Sequence, residues 1–339
     1  MTYLFDGHKL NWHPQAVADW MRGDLKAPLY IEVGPTARCN HRCYYCSFQF
    51  VDRQGPDIDA SDLETALLEA AELGTRAVCF AGEGEPLLHR DIDRLCGFAR
   101  HAGLDVALST NGALFSHADA IMPHLSWVRF SVDTLRPESY RAIRGASARQ
   151  TEIVRENVEA AVRVPNRGTV GVQALMLPEN MDDLYRLAVW CRHVGVDYFT
   201  IKPFTPHPKS AGRHVDAVMS DELLLSLEAL ATDDFRVIYR GESVERVGEP
   251  IPYGSCLALD FWAYIDAAGD VYSCSAFLGD QDFVYGNIYK TGFADIWAGR
   301  HTVQSRIEGV AGCRRNCRMD SINRYLHGLL NPPQHINFI

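Results

Sequence analysis

Residues 29–46, LYIEVGPTARCNHRCYYC, join an apolar run to three cysteines, and the rest of the chain is read outward from that junction. The run from Leu29 to Pro35 reads as a strand, rich in aromatic and β-branched residues and stopped by Gly34 and Pro35. The loop after it holds Cys39, Cys43 and Cys46, spaced CxxxCxxC, with Tyr45 directly before the last. Three thiolates so placed can grip one small inorganic centre. Structural zinc usually takes four ligands in CxxC-type pairs. Arg38, His41 and Arg42 make the loop polar, unlike a chance cluster of buried cysteines. On a four-iron cluster, three thiolates leave one iron open to another molecule.

The segments that follow alternate. SDLETALLEAAELG (61–74) reads as a helix with Ser61 as N-cap and Gly74 as C-cap. RAVCFAG, DVALSTNG, WVRFSVD, TVGVQALM and YFTIKPF read as strands, with helical patterns between them. About six strand–helix units predict an α/β fold, a partial (β/α)6 barrel of TIM type with its active site at the strands' C-terminal ends. The chemistry-bearing residues fall there: the cysteine loop, then GEGEP (82–86), then STNG (109–112).

The rhythm stops near residue 206. PHPKSAGRH reads as a loop and 221–231 as a helix. FRVIYR, FWAYIDAAGDVYSCSA and FVYGNIY read as short strands with hairpin signals at AAGD and GNI. The stretch SRIEGVAGCRRNCRMDSINRYLHGLL is expected to be partly helical. This organisation gives a lead-in over 1–27, the barrel over 28–206, a connecting segment over 207–248 and a small cysteine-rich α+β domain over 249–339.

Composition narrows the function. The 339 residues are 47% hydrophobic, enough for a large core, with a formal net charge of −10. No strongly basic run stands out, so no nucleic-acid partner is expected. The N-terminus has no continuous apolar segment and nothing later approaches a membrane span, so a cytoplasmic protein without a membrane partner is expected. In that compartment ten cysteines stay mostly reduced, and clustered ones read as metal ligands.

CxxxCxxC after the first strand of a partial barrel resembles the signature of radical S-adenosylmethionine (SAM) enzymes, and further residues extend the resemblance over roughly 28–205. Gly84, Glu85 and Pro86 resemble the family's SAM amino-group motif, with Glu83 interposed. Ser109 and Asn111 resemble the segment beside the SAM ribose and methionine. Ser131 and Asp133 would lie near the ribose or carboxylate, Arg144 would partner the carboxylate, and the backbone of Tyr45 would meet the adenine. The resemblance implies a SAM-binding [4Fe–4S] cluster on Cys39, Cys43 and Cys46, reductive cleavage of S-adenosyl-L-methionine to a 5′-deoxyadenosyl radical, and an external electron donor of flavodoxin or ferredoxin type.

Four cysteines remain in the last third: Cys256, Cys274, Cys313 and Cys317. Their arrangement, with GNIYKTGFADIW (286–297), resembles the SPASM and twitch domains that hold auxiliary iron–sulfur clusters. Four thiols suffice for one auxiliary [4Fe–4S] cluster; zinc is the other occupant such a set takes. Cys79, Cys96 and Cys191 lie on apolar strands and helix faces and read as free buried thiols. The layout resembles radical SAM enzymes of sugars and aminocyclitols, including the dehydrogenases of 2-deoxy-scyllo-inosamine. That implies a small sugar-like substrate and net two-electron oxidation of an alcohol to a ketone. Epimerisation, decarboxylation or deamination of such a substrate is the alternative, and peptide modification a further one. Lys202 and Tyr253 are the catalytic candidates; Gln173, His207 and Arg240 are the substrate-binding candidates.

Overall fold

The computed structural model describes residues 3, 7–205, 207, 209, 215, 217–242, 249–307, 313 and 317–338. Seven parallel strands run side by side in chain order: β1 (Tyr30–Val33), β2 (Ala77–Phe80), β3 (Asp105–Thr110), β4 (Trp127–Ser131), β5 (Thr169–Met176), β6 (Tyr198–Pro203) and β7 (Arg236–Tyr239). Among the helices are α1 (Pro14–Met21), α2 (Ala60–Leu73), α3 (Ile92–His101), α4 (Ala118–Ile121), α5 (Pro137–Arg144), α6 (Gln150–Arg163), α7 (Leu184–Val194) and α8 (Asp221–Glu228). One face of each strand feeds a continuous core, in which Ile31, Val78, Val106, Val128, Val170 and Phe199 meet Leu63, Leu67 and Leu95 from the helices. Each such side chain contributes roughly 1.5–3 kcal/mol on burial. The α/β layering and the parallel sheet are those expected from the alternation.

Local signals place the elements. The N-cap of α2 is Asp59 rather than Ser61: its carboxylate accepts from Ser61 N and Asp62 N. Gly74 closes the same helix at φ +117°, a left-handed conformation that favours glycine.

Two features depart from the sequence reading. The alternation does not stop at 206. FRVIYR forms β7, which pairs in parallel with β6 through Tyr198↔Arg236 to Ile201↔Tyr239, so the expected connecting segment contains a barrel strand. The strands of the C-terminal third, expected in a small domain of its own, join the barrel's sheet. They are β8 (Trp262–Ile265), β9 (Asp270–Tyr272) and β10 (Val284–Asn287), giving the order β10-β9-β8-β1-β2-β3-β4-β5-β6-β7. β8 lies parallel to β1, with Glu32 opposite both Cys79 and Tyr264. The expected hairpin turn is present over 266–269: Asp266 accepts from Ala268 N and Asp270 N, and Gly269 sits at φ +79°.

The C-terminal unit is anchored twice more. Helix α9 (Phe293–Gly299) packs on α2, where Glu69 of α2 accepts from Ala294 N at 3.0 Å. After the short helix α10 (His301–Gln304), helix α11 (Asp320–Leu330) shares a small core with the N-terminal lead-in through Leu10, Val17, Phe261 and Leu326. Much of the expected loop at PHPKSAGRH and of the segment 308–316 lies outside the described residues. Among the described residues no helix is long and apolar enough to cross a membrane.

Candidate active site

The strands deliver their C-terminal ends to one open cavity. Cys39, Cys43, Tyr45 and Cys46 line it from the loop after β1, Gly84 and Glu85 from the turn after β2, Ser109 and Asn111 from the end of β3 and just beyond it, and Ser131 and Asp133 from the end of β4 and just beyond it. Gln173, Lys202 and Arg144 complete the wall.

The cysteine loop is fastened to the end of α5. Arg42 N donates to Arg144 O at 2.8 Å and Tyr44 N to Ile143 O at 3.2 Å. Gly145, at φ +57°, ends that helix against the loop, and a Cβ there would sit 2.7 Å from Arg42 O. Two cations face the thiols. Arg53 Nη2 donates to Cys46 Sγ at 3.1 Å, and Arg144 Nη1 lies 3.9 Å from Cys43 Sγ. Burial works the other way and pushes the Cys43 thiol up to about 11. A bound cationic centre is what turns buried thiols into thiolates, so this donor set fits an iron–sulfur cluster. His41, within the loop, is buried; burial, with the nearby Arg144 charge, pushes its pKa down to about 3 and keeps the ring neutral.

Asp133 organises the opposite wall. Its Oδ2 accepts from Tyr45 Oη at 2.7 Å and lies 2.7 Å from Arg144 Nε, while Oδ1 accepts from Leu175 N at 2.9 Å. The Arg144 and Asp133 side chains are only 4% and 1% exposed, so this is a buried ion pair. Arg144 Nη2 is buried with no hydrogen-bond partner among the described residues. A buried guanidinium with an unused donor at a cavity wall suits a carboxylate ligand, such as the SAM methionine group.

The Gly82–Pro86 strap lies against the cysteine loop. Glu85 N donates to Arg38 O at 2.8 Å. The Glu85 carboxylate, 2% exposed, accepts from Thr110 Oγ1 at 2.6 Å and from Asn111 N at 2.7 Å. Burial raises its pKa. Asn111 in turn donates to Asn40 Oδ1 at 2.7 Å, so strap, strand β3 and cysteine loop form one network. Pro86 begins a short 3-10 turn (Pro86–Leu88) and is not part of the cavity wall. Glu83 turns away from the cavity, and its hydrogen bonds go to Tyr264 and Ala267 in the β8–β9 hairpin.

Of the catalytic and substrate candidates, Lys202 and Gln173 reach the cavity, beside Thr205, Leu175 and Phe204. Tyr253, His207 and Arg240 do not line it. The Tyr253 hydroxyl donates to Asp320 Oδ1 at 2.6 Å, on the auxiliary side of the molecule. His207 stacks on Phe50 with ring centroids 5.0 Å apart. Arg240 follows β7, and its backbone N donates to Ile201 O.

The second cysteine set converges in an apolar pocket. Cys256 precedes the turn Leu257–Asp260, Cys274 follows β9, and Cys317 stands just before α11. Cys256, Cys274 and Cys317 pack with Trp262, Tyr264, Tyr272 and Met319. Burial pushes Cys256 up to about 11 and Cys274 to about 12, and neighbouring thiols add to each shift, Cys313 and Cys317 among those acting on Cys256. Asn323 of α11 donates to Cys256 Sγ at 3.5 Å, and Met319 N to Cys317 Sγ at 3.4 Å. Three thiols packed in one pocket with hydrogen-bond donors, and Cys313 near enough to act on Cys256, suit an auxiliary iron–sulfur centre. Among the described residues no three His, Cys, Asp or Glu side chains close on a single ion. Cys79, Cys96 and Cys191 are buried and free, as expected.

Sequence reasoning missed Arg53, Asn40, Thr110 and Asn323. Arg53 lies seven residues beyond Cys46 and carried no motif; Asn40 and Thr110 stand inside the cysteine loop and STNG, where only the fold shows what they bond, and Asn323 meets Cys256 only through the fold.

Comparison with known proteins agrees with this geometry. Residues 33–191 match the radical SAM superfamily, and 256–318 match SPASM, an iron–sulfur cluster-binding domain. A probable GTP 3′,8-cyclase of Methanococcus vannielii is 25% identical over 205 residues, covering 59% of this chain and 67% of that protein. A tungsten-containing aldehyde ferredoxin oxidoreductase cofactor-modifying protein of Pyrococcus furiosus is 25% identical over 305 residues, covering 79% and 80%. The SAM-bound structure of Streptococcus suis SuiB superposes with a TM-score of 0.64 at 19% identity, covering 85% of this chain and 70% of that one. The cofactors follow: S-adenosylmethionine with a [4Fe–4S] cluster in the first domain, and auxiliary iron–sulfur in the second.

Proposed function

With a radical SAM domain and an iron–sulfur SPASM domain in one chain, we propose that this enzyme oxidises an alcohol of a small carbohydrate-like molecule to a ketone. Aminocyclitols, amino sugars and aminoglycosides are the substrate class. The observation that carries the reading is the polar wall formed by Gln173, Lys202, Thr205 and Ser131 at the cavity that the cysteine loop closes.

When bound, the cluster and SAM supply a radical able to remove a hydrogen atom from an unactivated C–H bond. The chain's residues do the rest. Cys39, Cys43 and Cys46 would hold the cluster, and Arg144 and the Gly84–Glu85 strap would seat SAM. Gln173 would orient substrate hydroxyls, and Lys202 would accept the hydroxyl proton as the carbonyl forms. Phe48, Leu175 and Phe204 line the same cavity and help exclude water. Oxidation, rather than a redox-neutral outcome, is supported by the second thiol set. Cys256, Cys274, Cys313 and Cys317 would ligate a centre completely, leaving no position for substrate and suiting it to electron transfer.

A second reading, modification of a cofactor precursor, is favoured by the Pyrococcus furiosus relative, whose similarity spans both domains. One anaerobic experiment separates them. Reconstituted protein, SAM and a strong reductant are incubated with sugar-like compounds, cofactor precursors and peptides, and deoxyadenosine is quantified. A substrate-dependent burst with a sugar-like compound and a product lighter by two hydrogens is expected. An unchanged product mass with solvent deuterium would mean epimerisation, and a response only to cofactor precursors or to peptides would overturn the sugar assignment.

A further inference from the structure

The Glu83 side chain leaves the cavity, although Gly82, Gly84 and Glu85 on either side all line it. It is 3% exposed. Its Oε2 accepts a hydrogen bond from the Tyr264 hydroxyl, and its Oε1 accepts from Ala267 N at 3.1 Å. Both partners belong to the hairpin of the iron–sulfur domain. Two glycines empty the space for this contact. A Cβ on Gly34 would lie 2.1 Å from Glu83 Oε2, and a Cβ on Gly82 would lie 2.2 Å from the Tyr264 hydroxyl. Tyr264 is itself fully buried and packs in the same apolar cluster as Cys256, Cys274 and Cys317. Through these two buried hydrogen bonds the Glu83 carboxyl joins the floor of the first cofactor site to the housing of the second.

We propose that Glu83 is a positioning residue that fixes the Gly82–Pro86 strap, and with it the SAM seat, to the auxiliary-cluster domain through Tyr264 and Ala267. This rests on the reading of the cavity as the SAM site. Alanine at position 83 removes both acceptors and leaves the Tyr264 hydroxyl buried and unpaired. Glutamine keeps an acceptor for Ala267 N and a polar partner for the tyrosine.

The test uses the reconstituted holoprotein and reads SAM binding in two ways: affinity by titration, and the change in the reduced-cluster EPR signal on adding SAM. Glu83→Ala is expected to weaken SAM by at least about tenfold and to alter the EPR change. Glu83→Gln should stay within about twofold of the parent. Tyr264→Phe should fall between, and the double variant Glu83→Ala/Tyr264→Phe should be no worse than Glu83→Ala alone, as for two ends of one tie. Tyr264→Phe retains the ring and serves where Glu83→Ala does not fold. Parent-like affinity and EPR in Glu83→Ala, or in Tyr264→Phe where only that variant folds, would overturn the proposal. Additive losses in the double variant would do the same. A parent protein whose EPR signal ignores SAM would overturn the SAM reading of the cavity and the tie with it.

Discussion

Arg144 brings a buried positive charge to the rim of the cysteine loop, and two neighbours and one unused donor decide what it does. Asp133 neutralises it, Tyr45 lies beneath it with the guanidinium carbon 5.6 Å from the ring centroid, and Nη2 is left for a ligand. Replacing it by an uncharged residue would strand Asp133, a loss of roughly 3–5 kcal/mol that confuses folding with binding. Arg144→Lys keeps the charge and loses the planar fork. It is expected to weaken SAM on the order of tenfold while the protein stays folded, measured by SAM titration of the reconstituted variant. Lys202 makes a different prediction, because it lines the cavity on β6, far along the sheet from β1. Lys202→Met should lower substrate turnover about 100-fold or more yet leave slow, substrate-independent deoxyadenosine release intact. Equal loss of both activities would refute its role toward substrate.

At the level of elements, the strap and the cysteine loop form one unit because glycine lets their backbones touch. A Cβ on Gly84 would sit 2.1 Å from Thr36 O and 2.5 Å from Arg38 O, both main-chain atoms that cannot swing aside. Gly84→Ala should therefore displace the strap, cost about 1–3 kcal/mol and weaken SAM binding, which denaturant melts and SAM titration would read together. The motif residues Gly84 and Glu85 were legible in the sequence as local spacing. The pairing that holds them was not, although Asn111 was itself a candidate. Thr110 and Asn111 come from the next strand, and Asn40 from the loop before; only the parallel register of β1, β2 and β3 brings the three together.

The whole molecule is one sheet carrying two cysteine sets, and two predictions belong to that scale. Changing Cys39, Cys43 and Cys46 together to Ala should abolish deoxyadenosine formation and leave about half the iron, because the auxiliary set has its own thiols. Loss of all iron would show that the second set holds no cluster. The other prediction concerns pH. Burial pushes the Glu83 carboxyl up to about 7 and the neighbouring Asp266 up to about 6. A carboxyl whose folded pKa exceeds its unfolded value near 4.5 binds a proton on folding. Its contribution to stability is complete below that unfolded value and is lost as pH rises through about 7, a loss of about 3 kcal/mol for Glu83. Glu83→Gln keeps the uncharged form at every pH. Thermal melts of parent and variant should therefore diverge between pH 5.5 and pH 8 in favour of the variant; a constant difference would mean that Glu83 does not carry the extra proton.

By itself the sequence determined the α/β alternation, the position of the cysteine loop after the first strand, and the two cysteine sets. Those signals are local: the period of apolar residues, a capping glycine, the spacing of thiols along a few residues of chain. Only the tertiary structure decided that β7 joins the barrel, that the C-terminal hairpin continues its sheet beside β1, and that Lys202 and Gln173 reach the cavity while Tyr253, His207 and Arg240 do not. Strand neighbours and the direction of a side chain depend on pairing with distant segments. Glu83 and Tyr264 meet across 181 positions of the chain. No periodicity or spacing records such a meeting, because it is set by which strand edge the hairpin finds and which glycines leave room for it.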